Sequence, residues 1–328
     1  MTAVRPTPRA PYLVLAILLT VLGAASLVLE QSEGWGGFNY GMDRVIRVVE
    51  PNTAGEAAGL QSRDSLVSID GRPAIDLPMQ SRWARTGVGE SHRLEVVRDG
   101  RRLTVEVEYA RRGPNLFGWG ARLLLLAFLW CGVWARLTIA TPAAAALAHA
   151  GLAAGVAMAA PLTVGGIWSG MASHVQAASL VLVTMFLLRL FLVFPVPKPV
   201  SASRLAGGAL AGVWLALVAL LVVELFVHPR LYLKAAAATG ILMLVVLALA
   251  LAALAHTVAT TPRGTLWRSG VGWALLAVVV GVLALVAPFA AMAVRLPLAL
   301  YAGLLVAAAP IMLALAVRKQ ANAATATT

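Results

Sequence analysis

Cysteine is nearly absent: the 328 residues hold one, Cys131, inside an apolar run. No disulfide framework can form from it, and a lone thiol there says nothing about redox compartment. Charge is also scarce, at 12% against 60% hydrophobic residues, whereas a soluble domain is roughly one quarter charged. That balance excludes an ordinary soluble protein and indicates a membrane protein. The 5 histidines never fall at metal-ligand spacing and no H-E-x-x-H occurs, so no metal site is expected. His149 falls mid-helix and His256 near a helix end, while His92 and His174 are expected outside the helices. Ser91-His92 has no third group to complete a catalytic triad. With no P-loop, kinase signature or Gly-rich nucleotide loop, neither an enzyme nor a cofactor is expected.

The formal net charge of +12 raises nucleic acid as a partner, and its location decides against it. Residues 36–112 carry 12 Lys+Arg against 11 Asp+Glu, and the rest of the chain carries 14 against 3. The excess therefore sits in loops and helix ends between apolar runs, where it orients a membrane protein. No basic patch interleaved with aromatics argues for DNA or RNA.

The apolar run Tyr12 to Leu29 follows Arg5 and Arg9. Its length is nearer a full span of roughly 20 residues than a signal-peptide core, which favours an uncleaved anchor. Ala24-Ala25-Ser26 leaves a cleavable signal open. Seven further apolar stretches are expected at 117–138, 142–163, 174–195, 205–227, 235–257, 269–290 and 297–317. Arg136, Lys198, Arg204, Arg263, Arg268, Arg318 and Lys319 then share one side with Arg5 and Arg9, and Arg230, Lys234 and Arg295 lie on the other. The positive-inside rule puts both termini in the cytoplasm of a bacterial inner membrane, with residues 33–112 in the periplasm. Arg111, Arg112 and Arg122 run against the rule, which translocated domains obey weakly.

The expected organisation is a tail and anchor (1–32), a soluble module (33–112), a seven-helix membrane region (113–319) and a small, polar, disordered tail (320–328). The fold class is thus a multi-domain, mainly α membrane protein of about eight transmembrane helices, with one small β-rich module inserted after the first. Gly151 with Gly155, and Gly208 with Gly212, have the spacing that lets helix backbones approach closely. Trp119, Trp168, Trp267 and Phe289 fall near helix ends, as an aromatic belt requires.

Within the module, a β-branched run (Val45 to Val49) must stop at Pro51, and small residues then build a short helix ending at Gly59. The run Leu66 to Ile69 stops at the turn dipeptide Asp70-Gly71. Arg93–Val97 and Leu103–Tyr109 alternate about Asp99-Gly100, predicting a hairpin in which Val96 faces Leu103, Leu94 faces Val105 and Arg93 faces Glu106. The stretch Glu50-Pro51-Asn52-Thr53-Ala54-Gly55-Glu56-Ala57-Ala58-Gly59-Leu60, followed by Asp64-Ser65-Leu66-Val67-Ser68-Ile69-Asp70-Gly71, resembles the PDZ family of bacterial periplasmic proteases. Leu77 to Arg85 would supply the helix that flanks the peptide groove. The resemblance implies that a peptide or protein C-terminus adds as a strand, its carboxylate held by backbone N–H groups. Gly34-Trp35-Gly36-Gly37-Phe38 is the candidate carboxylate loop, with Gly36, Gly37, Phe38, Asn39 and Tyr40 as the peptide-binding residues. Arg63-Asp64 replaces the common Gly-Asp, which alters one turn.

Ionisable residues at membrane depth call for a reason. Arg189, Glu224 and His149 are the three: Arg189 reads as a snorkelling or interhelical residue, and Glu224 as part of an interface cluster with His228 and Arg230. Buried acids are otherwise missing from the seven helices, which speaks against a transporter. Leu192-Val193-Phe194-Pro195-Val196-Pro197, with Trp267-Arg268, Gly272, Gly281, Pro288, Leu296-Pro297, Pro310 and Arg318, looks like the multi-helix sensory region of bacterial membrane histidine kinases, including types with an exported PDZ-like domain. From the residues after Arg318, no phosphoacceptor or ATP-binding part is expected. The expectation is an inner-membrane sensor or receptor that binds peptide outside and acts through a separate membrane kinase or protease. The rivals are an adaptor presenting substrates to a membrane protease or chaperone, and the sensory half of a split kinase.

Overall fold

The computed structural model describes residues 10–31, 34–40, 44–74, 87–111, 116–160, 167–202, 204–226, 232–294 and 299–325. The proposed groove helix, Leu77 to Arg85, lies outside the described residues. The chain falls into two compact units.

The helical unit draws on α1 (Ala10–Gln31) as far as Gly23, α3 (Leu116–Thr138), α4 (Pro142–Ala159), α5 (Ile167–Val193) from His174 onward, α6 (Arg204–Phe226), α7 (Tyr232–Thr260), α8 (Val271–Val294) and α9 (Ala299–Thr325). Among the described residues 5 of these are long and apolar enough to cross a membrane, not the eight expected; the described apolar parts of α6 and α8 are shorter. Composition and propensity set the ends. Thr141 caps α4 by accepting from the Ala144 N–H, with Pro142 in the first turn, where a missing N–H costs nothing. α9 runs to Thr325, through the residues expected to form a disordered tail, because Ala321, Ala323 and Ala324 favour helix. His174 lies inside α5, which begins at Ile167.

Close packing is concentrated between α3 and α4. A Cβ added to Gly151 would lie 2.5 Å from the Phe128 carbonyl oxygen, and one at Gly132 would lie 2.6 Å from that of Leu147. A Cβ at Gly155 would lie 2.9 Å from Leu19 Cδ1 of α1. The second expected pair fails: Gly208 and Gly212 have nothing within 4 Å. Gly151→Val is therefore expected to destabilise the detergent-solubilised protein by about 1–3 kcal/mol through overpacking. Gly208→Val should leave the melting temperature near that of the parent.

The second unit carries β1 (Gly34–Trp35), β2 (Phe38–Tyr40), β3 (Ile46–Val49), α2 (Ala54–Ala57), β4 (Ser65–Ile69), β5 (Arg72–Pro73), β6 (Ser91–Arg98), β7 (Arg101–Glu108) and β8 (Ala110–Arg111). One sheet runs β5-β4-β6-β7, while β2 pairs with β3 and β1 with β8. The β6–β7 hairpin has the expected register, Leu94 opposite Val105, Val96 opposite Leu103 and Arg93 opposite Glu106. Asp99 and Gly100 both take positive φ, 51° and 78°, as a two-residue primed turn demands. The β4–β5 connection uses the same device at Asp70 and Gly71. Ile46, Leu66, Leu94, Val96 and Val107 meet in one buried core with Phe38 and Leu60. Arg63 adopts φ 78° where a glycine was expected from the family pattern.

Candidate functional site

The loop 34–38 is held from three sides. β1 pairs with β8, the Trp35 indole N–H donates to the Glu50 carboxylate at 3.3 Å, and two backbone carbonyls are anchored. Gly36 O accepts from the Gly55 N–H and Gly37 O from the Glu50 N–H, both at 2.7 Å. The Thr53 hydroxyl donates to Glu50 O at 2.6 Å, which sets it beneath Gly37. Gly37 has φ 77°, and a Cβ there would lie 2.0 Å from Thr53 Oγ1. The short helix α2 that supplies Gly55 is steadied where the Asn52 N–H donates to the Glu56 carboxylate at 2.7 Å.

With both carbonyls committed, the two amides are left over: among the described residues neither the Gly36 nor the Gly37 N–H has an acceptor. Both glycines are buried, and a buried N–H without a partner costs about 1–3 kcal/mol. Consecutive amides about a left-handed glycine form an anion-binding nest. The next residue continues the site as backbone. Because the Glu50 N–H bonds Gly37 O, Phe38 opposite Val49 is a non-hydrogen-bonded pair, and its own N–H and C=O turn to the other edge of β2. Among the described residues no strand pairs with that edge. Among the described residues the arrangement is a strand edge without a partner strand, headed by two amides without acceptors.

The expected side-chain contributions are revised by burial. Phe38 is only 6% exposed and packs into the core, stacked on Tyr40 at 6.3 Å and edge-on to Tyr109 at 6.4 Å. Its ring belongs to the core, so only its main chain is available to the candidate site. Tyr40 is half-buried, and the side chain of Asn39 lies outside the described residues. Tyr109, which sequence reading passed over, backs the loop: its Cζ lies 3.2 Å from where a Cβ at Gly36 would stand. Burial, then the neighbouring Tyr40 and Asp70, push its hydroxyl up to about 12.

Two further contacts link segments far apart in sequence. Asp64, 1% exposed, takes both of its oxygens to Arg98 at 2.7 Å and accepts from the Gln61 N–H at 2.9 Å. Arg98 also donates to the Gly59 carbonyl. Burial works to raise the Asp64 carboxyl, but the Arg98 and Gln61 hydrogen bonds and the Arg98 charge outweigh it and hold the group below its ordinary value. Asp70 bonds His92 Nδ1 at 2.6 Å and the Arg93 N–H at 2.8 Å, which lower its carboxyl. His92, the second residue of β6, lies edge-on to Tyr109 at 5.0 Å.

In the helical unit, His149 meets Tyr12 at 3.3 Å and the Phe186 ring at 5.2 Å. Arg189 is exposed on α5, and the side chain of Glu224 lies outside the described residues.

Residues 45–98 match the PDZ domain family. No curated protein matches the chain. The matched span begins at the strand that pairs with β2 and ends at the turn of the β6–β7 hairpin, so the loop 34–38 stands just ahead of it. The β-rich segment that follows the first helix is a PDZ domain, joined in one chain to several helices able to cross a membrane.

Proposed function

We propose that this chain is a membrane receptor whose PDZ domain captures the C-terminus of a peptide or protein. The carrying observation is the pair of Gly36 and Gly37 amides that, among the described residues, have no acceptor at the head of a β2 edge with no strand beside it. An extended chain adding to that edge satisfies the main-chain groups of Phe38, and its terminal carboxylate recovers what the buried amides lose. The segregation of arginines supports an exported PDZ domain with both chain termini in the cytoplasm. Signalling in this reading passes laterally, through helix contacts, to a separate membrane kinase or protease. The scaffold reading shares the same groove and differs only in what the captured protein is delivered to.

A peptide array with matched free-acid and C-terminally amidated sequences tests this on residues 33–112, which have their own core. Charge-assisted hydrogen bonds contribute about 1.5–3 kcal/mol, so the amidated partner of each binder is expected to bind roughly 10- to 100-fold more weakly. Equal binding of the two forms would remove the carboxylate from the mechanism. Crosslinking in native membranes with a bound peptide is expected to recover the kinase or protease; recovery of the captured protein with a chaperone would favour the scaffold.

A further inference from the structure

One end of the helical unit gathers four polar residues from four helices. Tyr12 is in the first turn of α1, Arg136 in the last turn of α3, His149 on α4 and Arg189 near the end of α5. The Arg136 guanidinium lies 5.7 Å from the centre of the Tyr12 ring. The Tyr12 hydroxyl reaches His149 Nε2 at 3.3 Å, the imidazole packs on Phe186 at 5.2 Å, and Arg189 follows Phe186 by three residues on α5, so the two share a face. At about 1.5 Å per residue, Arg136 and Arg189 lie within roughly 6 Å of their helix ends, the depth at which hydrocarbon gives way to headgroups.

The sequence of the helical unit provides no acidic side chain at that end. Thirteen of its 14 acidic residues lie between Glu30 and Glu108. The remaining one, Glu224, is near the far end of α6, some 30 Å along a helix that starts on the arginine side. The anion must come from outside the chain, and at this depth the abundant anion is a phosphodiester. Arg189 is exposed while Tyr12, Arg136 and His149 are half-buried, so the cluster opens outward. Beside it α1 presents Leu13, Val14 and Ile17 to the surroundings, an apolar flank for an acyl chain.

We infer that Arg136, Arg189, Tyr12 and His149 form a binding site for the headgroup of an anionic phospholipid in the leaflet at which α1 begins. The two planar guanidinium groups bind the phosphodiester through paired N–H donors, and the Tyr12 hydroxyl and the His149 ring, in contact with each other, complete the polar cluster. This rests on the helices lying in a bilayer and is independent of peptide binding.

The test uses the full chain, extracted from carbonate-washed membranes into mild detergent. Native mass spectrometry with an equimolar mixture of phosphatidylglycerol and phosphatidylcholine should show preferential retention of phosphatidylglycerol. The Arg136→Gln/Arg189→Gln variant should retain about tenfold less of it, while the loop variant Arg263→Gln/Arg268→Gln behaves as the parent. Arg189→Gln alone, at an exposed position, carries the test if the double variant does not fold, with a loss of about threefold. Unchanged retention in the double and single variants overturns the site. Displacement of the lipid by 10 mM inorganic phosphate overturns the lipid assignment in favour of a soluble phosphate. Absence of the protein from the washed membranes overturns the membrane reading before any lipid is added.

Discussion

Replacing Gly37 by alanine is expected to destabilise residues 33–112 by about 2–4 kcal/mol, the combined effect of a left-handed backbone and a forced contact. For a domain of this size that is a fall of roughly 10–25 °C in melting temperature. The new Cβ would stand 2.0 Å from Thr53 Oγ1 and 2.1 Å from Thr53 Cβ. Thr53 cannot retreat freely, because its hydroxyl is bonded to Glu50 O and its carbonyl accepts from the Ala57 N–H. Gly59→Ala separates the two contributions. Gly59 has φ 86° but nothing within 4 Å of its Cβ position, so only the backbone contribution, about 1 kcal/mol, applies there. A Gly37→Ala variant no less stable than Gly59→Ala would show that the loop is not clamped onto Thr53.

The second large effect is expected at Asp64, which ties the start of β4 to the end of β6. Asp64→Asn leaves the Arg98 guanidinium without its anion and breaks a two-pronged ion pair. The expected loss is about 2–4 kcal/mol, toward the lower part of the range for a buried pair, because Arg98 keeps 25% side-chain exposure and can turn to water. The pH dependence follows from the direction of the shift. The folded-state carboxyl is held below its ordinary value of 3.8, so its contribution is complete above that value and is lost as pH falls through the lower folded value. Denaturant titrations should show the parent losing stability on acidification below about pH 4, and Asp64→Asn losing less over the same interval. Asp70, lowered by His92 and the Arg93 N–H, keeps a residual slope in the variant. Identical acid limbs in the two proteins would contradict this account of the pair.

Local chemistry was the legible part of this sequence. The β6–β7 register could be assigned because Asp99-Gly100 admits one tight turn and a one-residue slip would turn the apolar face outward. Helix ends at Thr138, Pro142 and Phe226 follow from apolar length and from the capping Thr141. What failed depends on partners distant in the chain. The glycine spacing at 208 and 212 is the same as at 151 and 155, yet only in the second pair would an added Cβ meet a neighbouring helix, the Phe128 backbone at Gly151 and the Leu19 and Leu129 side chains at Gly155, and spacing alone carries no information about the facing helix. Phe38 reads as a groove residue by its place after two glycines, while its burial is decided by Tyr109, on the far side of the domain sequence. Asp70 with His92, and Tyr12 with His149, are joined across 22 and 137 residues. No periodicity announces such pairs. The arginines were visible, but the missing counter-charge acquires meaning only when Tyr12 and His149 are seen to meet beside Arg136.

The central claim is that two backbone amides await a carboxylate, and those amides can be observed directly. Residues 33–112, labelled with nitrogen-15, would be titrated with an array-selected peptide as its free acid and as its C-terminal amide, following the Gly36 and Gly37 cross-peaks by nuclear magnetic resonance. The account predicts that both amide protons move downfield together as the free acid saturates, the response of N–H groups that gain a charged acceptor, and that the amidated peptide leaves them near their starting positions. Saturable binding of the free acid with the Gly36 and Gly37 peaks unmoved would contradict it and place the peptide elsewhere on the domain.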